Sequence, residues 1–270
     1  MPPRRSERGR PPPARTPTER LRTNQASRRV HERELLHVCG LAAVGALFAG
    51  SPGRVERLFF EERLAAELTT ARQALARARK PYRKVETAEL AKIAGTMHHG
   101  GVVAIARPQP IAPLDPAEAA GWALDGLPLL ILDGIANPHN LGAIARSAAF
   151  FGIGRIVLAD RPDQALPSDA SYRIAEGGLD CVSLYRAALP EALPRLKPAY
   201  RVLGAAPGGS PLPRPGGPPA ALVLGNEESG LSPAVRAACD ALVAVPGSGN
   251  IESLNVGVAA GILLYLVTRR

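Results

Sequence analysis

"LVAVPGSGNIESLNVGVAAGILLYLVTRR" (242–270) decides how the larger part of this chain folds. A short apolar run enters a loop holding Gly247 and Gly249, and an apolar stretch from Leu254 to Val267 follows. Strand, glycine-rich turn and helix in that order usually build a phosphate cradle, because the turn aims backbone N–H groups at an anion. The spacing excludes a dinucleotide site. In "GSGNIE" (247–252) Glu252 stands where the third glycine of G-x-G-x-x-G belongs. The eighteen residues after it leave no place for the acidic ribose ligand expected about twenty positions further on. The loop has to serve another ligand, together with earlier parts of the chain.

Upstream, from residue 128, the same pattern recurs. "LLILD", "RIVLA", "CVSLY", "RVLGAA", "ALVLG" and "LVAVP" are short continuous apolar runs, the mark of strands in a parallel sheet covered on both faces. Helical stretches separate most of them: "LGAIARSAAFFG", "DASYRIAEGG", "LPEALPRL" and "SPAVRAACD". This predicts a six-stranded α/β domain over 128–270, with its glycine-rich turns at the strand C-terminal ends, where open sheets bind ligands. A second unit is expected over 34–107. There "HVCGLAAVGALFAG" reads as a helix, "RVERLFFEE" contains a strand, "LAAELTTARQALARARK" and "AELAKIAG" are helices, and "GGVVAIARP" closes as a strand. That alternation makes a small α/β sandwich. Pro-rich "RPQPIAPLDP" (107–116) marks the boundary, with 108–127 as linker and lead-in helix.

The net charge of +9 is unevenly spread. Residues 1–33 hold ten Arg against three Glu, 34–113 eleven basic against seven acidic residues, and 114–270 twelve against fourteen. With six prolines and few apolar residues, 1–33 is expected to be a disordered Arg/Pro-rich tail. Such a tail either solubilises the chain or draws it to a polyanion, most often nucleic acid. A hydrophobic content of 46% is enough for a sizeable core. Leu254–Val267 is too short for a membrane span, and the start of the chain lacks the apolar stretch of a secretory signal. Cys39, Cys181 and Cys239 lie far apart, without a C-x-x-C, and read as reduced thiols rather than a zinc site. A cytoplasmic protein with no metal and no membrane contact is expected.

Three polar clusters, each after a strand, remain to carry chemistry. "NPHNLGAIAR" sets Asn140 near a helix start and Arg146 one and two-thirds turns later. "LVLGNEESG" ends a strand in Gly225, Asn226 and Glu227, and "PGSGNIESLNV" places Ser253 and Asn255 at the mouth of the last helix. Each has a purely structural explanation: Asn140 and Ser253 as helix N-caps, Arg146 as a surface arginine, Glu227 as a loop carboxylate. The paired histidines His98 and His99 belong to a turn before a strand, since adjacent histidines rarely converge on one ion.

Taken together and in order, N-x-x-x-x-x-R, L-G-x-E-x-x-G and P-x-x-G-x-x-x-S-L-N-V resemble the three signature motifs of the SpoU/TrmH family, S-adenosylmethionine-dependent RNA 2′-O-ribose methyltransferases. The resemblance spans about 128–270. Residues 35–107 are similar to the ribosomal-protein-like RNA-binding domain that many members carry in front. The likeness implies an α/β knot, in which the last segment threads an earlier loop as a deep trefoil, the glycine-rich turn floors a cofactor pocket, and the apolar last helix packs at the knot and at a homodimer interface. True knots are very rare, so only the likeness reaches this one.

The likeness also implies roles. Arg146 faces the ribose 2′-hydroxyl and its neighbouring phosphate, and because a guanidinium hardly deprotonates it orients and stabilises charge rather than acting as a base. Asn140 holds the Arg-bearing turn, Ser253 and Asn255 hydrogen-bond around the ribose and cofactor, and Glu227 anchors the pocket loops. Backbone groups at Ala205, Gly225 and Val245 contact the S-adenosyl-L-methionine, with Leu254 packed beside them. Many members have Thr where Ala205 stands, so one side-chain hydrogen bond to the cofactor is missing here. The alternative is a catalytically inactive RNA-binding paralogue acting in RNA or ribosome assembly.

Overall fold

The computed structural model describes residues 35–212 and 216–269, so the Arg/Pro-rich tail of 1–33 lies outside the described residues. The smaller layer runs β1 (Leu36–Cys39), α1 (Leu41–Gly50), β2 (Val55–Phe60), α2 (Thr69–Arg77), β3 (Tyr82–Lys84), α3 (Thr87–Ala94) and β4 (Val102–Ala106). Its sheet has the order β1-β4-β2-β3, with β4 antiparallel to both neighbours and β3 parallel to β2. Two segments here differ from the sequence expectation: β3 lies in a stretch expected as neither helix nor strand, and β1 lies in one expected as helix. "HVC" is strand, not helix: Leu36 and Val38 alternate into the core, and the helix starts only after Gly40, whose φ of 92° stops helical geometry from propagating back. His99 closes the turn before β4, accepting the Gly101 N–H at 3.1 Å through Nδ1. It serves that loop, and among the described residues no histidine, cysteine and carboxylate cluster could hold a metal.

The larger layer comprises β5 (Ile111–Pro113), α4 (Pro116–Trp122), β6 (Leu129–Asp133), α5 (Pro138–Phe150), β7 (Arg155–Ala159), α6 (Asp169–Ala175), β8 (Ser183–Ala187), α7 (Leu189–Leu196), β9 (Arg201–Ser210), β10 (Ala220–Gly225), α8 (Pro233–Ala238), β11 (Ala241–Val243) and α9 (Val256–Thr268). Seven strands in the order β11-β9-β10-β6-β7-β8-β5 pair in parallel throughout. All six predicted strands are present. The seventh, β5, falls inside the Pro-rich stretch expected as linker, and its Pro113 is tolerable because β5 is an edge strand.

Strand alternation splits the core in two. Leu130, Leu132, Leu222 and Leu224 face α5, α6 and α9, while Leu129, Ile131, Ala221 and Val223 face α4, α7 and α8. Every one of these strand residues is buried, which is why the runs read as continuously apolar rather than alternating.

Candidate active site

The polar clusters converge at the carboxyl ends of the central strands. α5 starts at Asn137, whose Oδ1 accepts the His139 N–H at 2.8 Å, with Pro138 pre-set for the first turn. α9 starts at Asn255, whose Oδ1 accepts from the backbone of Gly257 at 2.9 Å and Val258 at 3.4 Å. The caps are therefore Asn137 and Asn255, and neither Asn140 nor Ser253 is used as one.

Asn140, buried to 8% exposure, instead joins all three clusters. Its Nδ2 donates to Glu227 Oε1 at 2.8 Å, and its Oδ1 accepts from Asn255 Nδ2 at 3.0 Å. Glu227 also accepts backbone N–H groups from Ala136 at 3.1 Å and Asn137 at 3.2 Å. Burial pushes the Glu227 carboxyl up, but the hydrogen bonds from Asn140 and from the Ala136 and Asn137 backbone outweigh it and hold it below the ordinary glutamate range. An ionised carboxylate with this many donors is a clamp between loops rather than a proton carrier.

Around the clamp opens a cavity of about 880 Å³, within the range of about 300–1,000 Å³ usual for small-molecule sites. Asn140, Glu227, Ser253, Leu254 and Asn255 line it, as do Ala205 within β9, Gly225 at the end of β10 and Val245 just past β11. Ser253 is exposed and makes no hydrogen bond among the described residues, so its hydroxyl is available to a ligand. Gly225 needs to be glycine: a Cβ there would lie 2.3 Å from the Gly230 carbonyl carbon and 2.4 Å from the Leu231 nitrogen. Gly247 and Gly249 have no such neighbour and do not line the cavity; Ala244 and Val245 form its floor on that side. Val245, Leu254 and Leu263 offer an apolar wall for a flat heterocycle, strand ends offer backbone groups, and the carboxylates of Glu228 and Glu252 suit a cation. This set fits S-adenosylmethionine, a sulfonium joined to an adenosine.

Arg146 is not among the lining residues. It projects from α5 further along the helix, 55% exposed, and pairs with Glu176 at 2.9 Å. Sequence reasoning named Asn226 beside Glu227 but missed Gln164 and Asp133, which support the clamp with it. Asn226 donates to the Gly134 carbonyl at 2.8 Å, buried Gln164 accepts the Gly134 N–H at 3.0 Å, and Asp133 accepts the Ser232 N–H at 2.7 Å. "NPHN" carried a usable signal for the Asn137 cap, an Asn followed by Pro before an apolar helix. Gln164 and Asp133 carried none.

Two family models match the chain: the SpoU rRNA Methylase family over residues 128–265, and RNA 2′-O ribose methyltransferase substrate binding over 37–112. The chain is 35% identical over 235 residues to the uncharacterized tRNA/rRNA methyltransferase YfiF of Escherichia coli O157:H7, covering 86% of this chain and 67% of that one. It is 35% identical over 194 residues to the 23S rRNA (guanosine-2′-O-)-methyltransferase RlmB of Acinetobacter baylyi, covering 69% of this chain and 77% of the relative. Its fold matches the AdoMet-bound rRNA methyltransferase from Sinorhizobium meliloti with a TM-score of 0.70 over 92% of each chain, at 22% identity. With the matched model spanning the whole parallel sheet from β6 onward and the clamp joining its three motifs, the chain belongs to the SpoU methylase family.

Proposed function

We propose that this protein transfers the methyl group of S-adenosyl-L-methionine to a ribose 2′-hydroxyl of structured RNA, tRNA or rRNA. The observation that carries this is the Glu227–Asn140–Asn255 hydrogen-bonded chain, which gathers three motifs around one cavity and sets Arg146 on the adjoining helix surface. A bound cofactor supplies an electrophilic methyl on sulfur. The chain's own residues do the rest. Ala205, Gly225, Val245 and Leu254 hold the cofactor, while Ser253 and Asn255 bond to the ribose side. Arg146, outside the cavity and solvent-accessible, meets the RNA: it orients the 2′-hydroxyl and neutralises the adjacent phosphate, to which the hydroxyl proton passes. The names of the relatives point to the same chemistry.

The layer over 34–107 binds and selects the RNA in this scheme, and the ten arginines of 1–33 add phosphate contacts that carry no sequence information. Two further features belong to the proposal. The first is a trefoil path of the last segment, supported by β11 lying outside β9 and β10 while α9 returns to pack on α5. The second is a homodimer in the cytoplasm, built on α9. No helix among the described residues is long and apolar enough to cross a membrane.

Methyl transfer from labelled cofactor to RNA tests the proposal. Arg146→Ala is expected to lose transfer, by a hundredfold or more on the order of an oriented charge contact, while cofactor affinity by calorimetry stays within about twofold because Arg146 lies outside the cavity. Full turnover by that variant would refute the role of Arg146, and absence of transfer by the unaltered chain would favour the inactive RNA-binding paralogue.

A further inference from the structure

The pairing of Arg146 with Glu176 has no part in the scheme above, and its setting is unusual. Glu176 ends α6 at φ 44° and ψ 44°, a left-handed backbone that costs energy for any residue with a Cβ and is normally left to Gly or Asn. A glycine follows at 177 and another at 178, so the turn has glycines at hand and still places a glutamate at the strained position. Its carboxylate meets Arg146 Nη2 at 2.9 Å with both side chains more than half exposed. A surface pair of that exposure adds little to folding, too little to repay the strain.

The turn is also locked in place on both sides. Toward α5, a Cβ on Gly142 would lie 2.5 Å from the Ser171 carbonyl oxygen, and one on Gly178 would lie 2.7 Å from the Arg146 Cα. Toward the smaller layer, Arg54 pairs with Asp180 at 2.5 Å and donates to the Tyr172 hydroxyl at 2.8 Å, and His37 pairs with Asp169 at 2.9 Å. Segment 169–181 is thus a rigid plate, with the RNA-binding layer on one face and the helix of Arg146 on the other.

We infer that Glu176 is a positioning residue for Arg146: its carboxylate takes one edge of the guanidinium and fixes the long side chain, leaving the remaining N–H groups aimed at the ribose hydroxyl and phosphate. This rests on the assignment of Arg146 given above. A guanidinium has five N–H donors in a fixed fork, so one carboxylate contact at Nη2 leaves enough for an RNA oxygen pair. Removing Glu176 frees the Arg146 side chain, which lowers the fraction of bound complexes in reacting geometry without removing a contact to RNA or cofactor.

The test is steady-state kinetics on the full chain with Glu176→Gly, Glu176→Gln and Arg146→Ala, each with a melting curve and cofactor calorimetry. Glu176→Gly relieves the left-handed backbone, so its melting temperature is expected to equal or exceed that of the unaltered chain while kcat falls about tenfold. KM for RNA is expected to move less than about twofold. Glu176→Gln keeps the shape without the charge and is expected to fall between the two. Adding Glu176→Gly to Arg146→Ala is expected to cause no further loss, because the glutamate acts only through the arginine. Unchanged kcat in Glu176→Gly, alongside an inactive Arg146→Ala, would overturn this inference alone. Full activity of Arg146→Ala, or no transfer by the unaltered chain, would overturn the assignment of Arg146 and this inference with it.

Discussion

Asn140 shows how much one short side chain decides. Its amide donates to Glu227 and accepts from Asn255, so Asn140→Ala removes both bonds at once, leaving the half-buried Glu227 Oε1 with the Asn137 N–H alone and the exposed Asn255 amide to solvent. Losing a hydrogen bond between groups that keep another partner or reach water costs about 0.5–1.5 kcal/mol, and up to about 3 where one partner is charged. Thermal unfolding of the variant should show a loss of that size, and calorimetry should show cofactor affinity down tenfold or more on the order expected from one such lost bond. A variant that melts and binds cofactor as the unaltered chain does would show that the clamp is dispensable. The residues of the clamp were legible from the sequence as Asn, Glu and Asn at family spacing. Their division of labour was not, because a helix mouth offers several polar side chains for one capping position, and only coordinates show that Asn137 and Asn255 are the caps. Glu176 was illegible for a different reason: a strained φ has no signature when a glycine follows at the next position.

Elements were read more securely where burial was complete. The central strands β6, β7 and β10 are covered on both faces, and their continuous apolar runs leave little choice. β5 is three residues at a sheet edge with a proline, and β1 is four residues fused in sequence to an apolar helix, so neither has a pattern of its own. What ties β1 to the larger layer is the contact of His37 with Asp169 at the start of α6. The backbone N–H of His37 donates to Oδ1 at 2.8 Å and its Nδ1 lies 2.9 Å from Oδ2. The hydrogen bond to Asp169 raises the His37 pKa above 6.5, against the opposing effect of burial. A group whose folded value is raised stabilises the fold fully below its unfolded pKa, and the gain is lost as pH rises through the folded value. Stability should therefore drop slightly from pH 6 toward alkaline pH, by less than about 1 kcal/mol since both partners stay a third or more exposed. Denaturant unfolding of the unaltered chain and of His37→Gln across that range checks it: the increment should vanish in the variant, and an identical pH dependence in both would remove His37 as its source.

At the scale of the whole molecule, the last helix departs from expectation in an informative way. An apolar stretch with no polar face is expected to be buried on every side, yet α9 leaves Val258 at 54% and Tyr265 at 47% exposure, seven residues apart and so on one stripe. Phe150, at the end of α5 and 82% exposed, stands beside them through Phe151: its ring lies 5.1 Å from that of Phe151, which lies 6.1 Å from Tyr265. Scattered apolar residues on a surface need no explanation, but a contiguous aromatic patch on two packed helices marks an interaction site. We propose a second copy as the partner, because a helix apolar on all sides would then be covered on all sides, with the same stripe paired with itself about a twofold axis. Light scattering at micromolar concentration should give twice the 28.3 kDa chain mass. Tyr265→Glu combined with Phe150→Asp should reduce it to one chain mass, since two charges buried in an apolar contact have no partner there. The cavity is lined by α9 from Asn255 to Leu263, but neither Val258 nor Tyr265 lines it. The monomeric variant should therefore still bind cofactor if the site is complete within one chain, and a loss of cofactor binding with the dimer would show that the partner contributes to it. A unaltered chain that is monomeric, or a double variant that remains dimeric, would take α9 out of the interface.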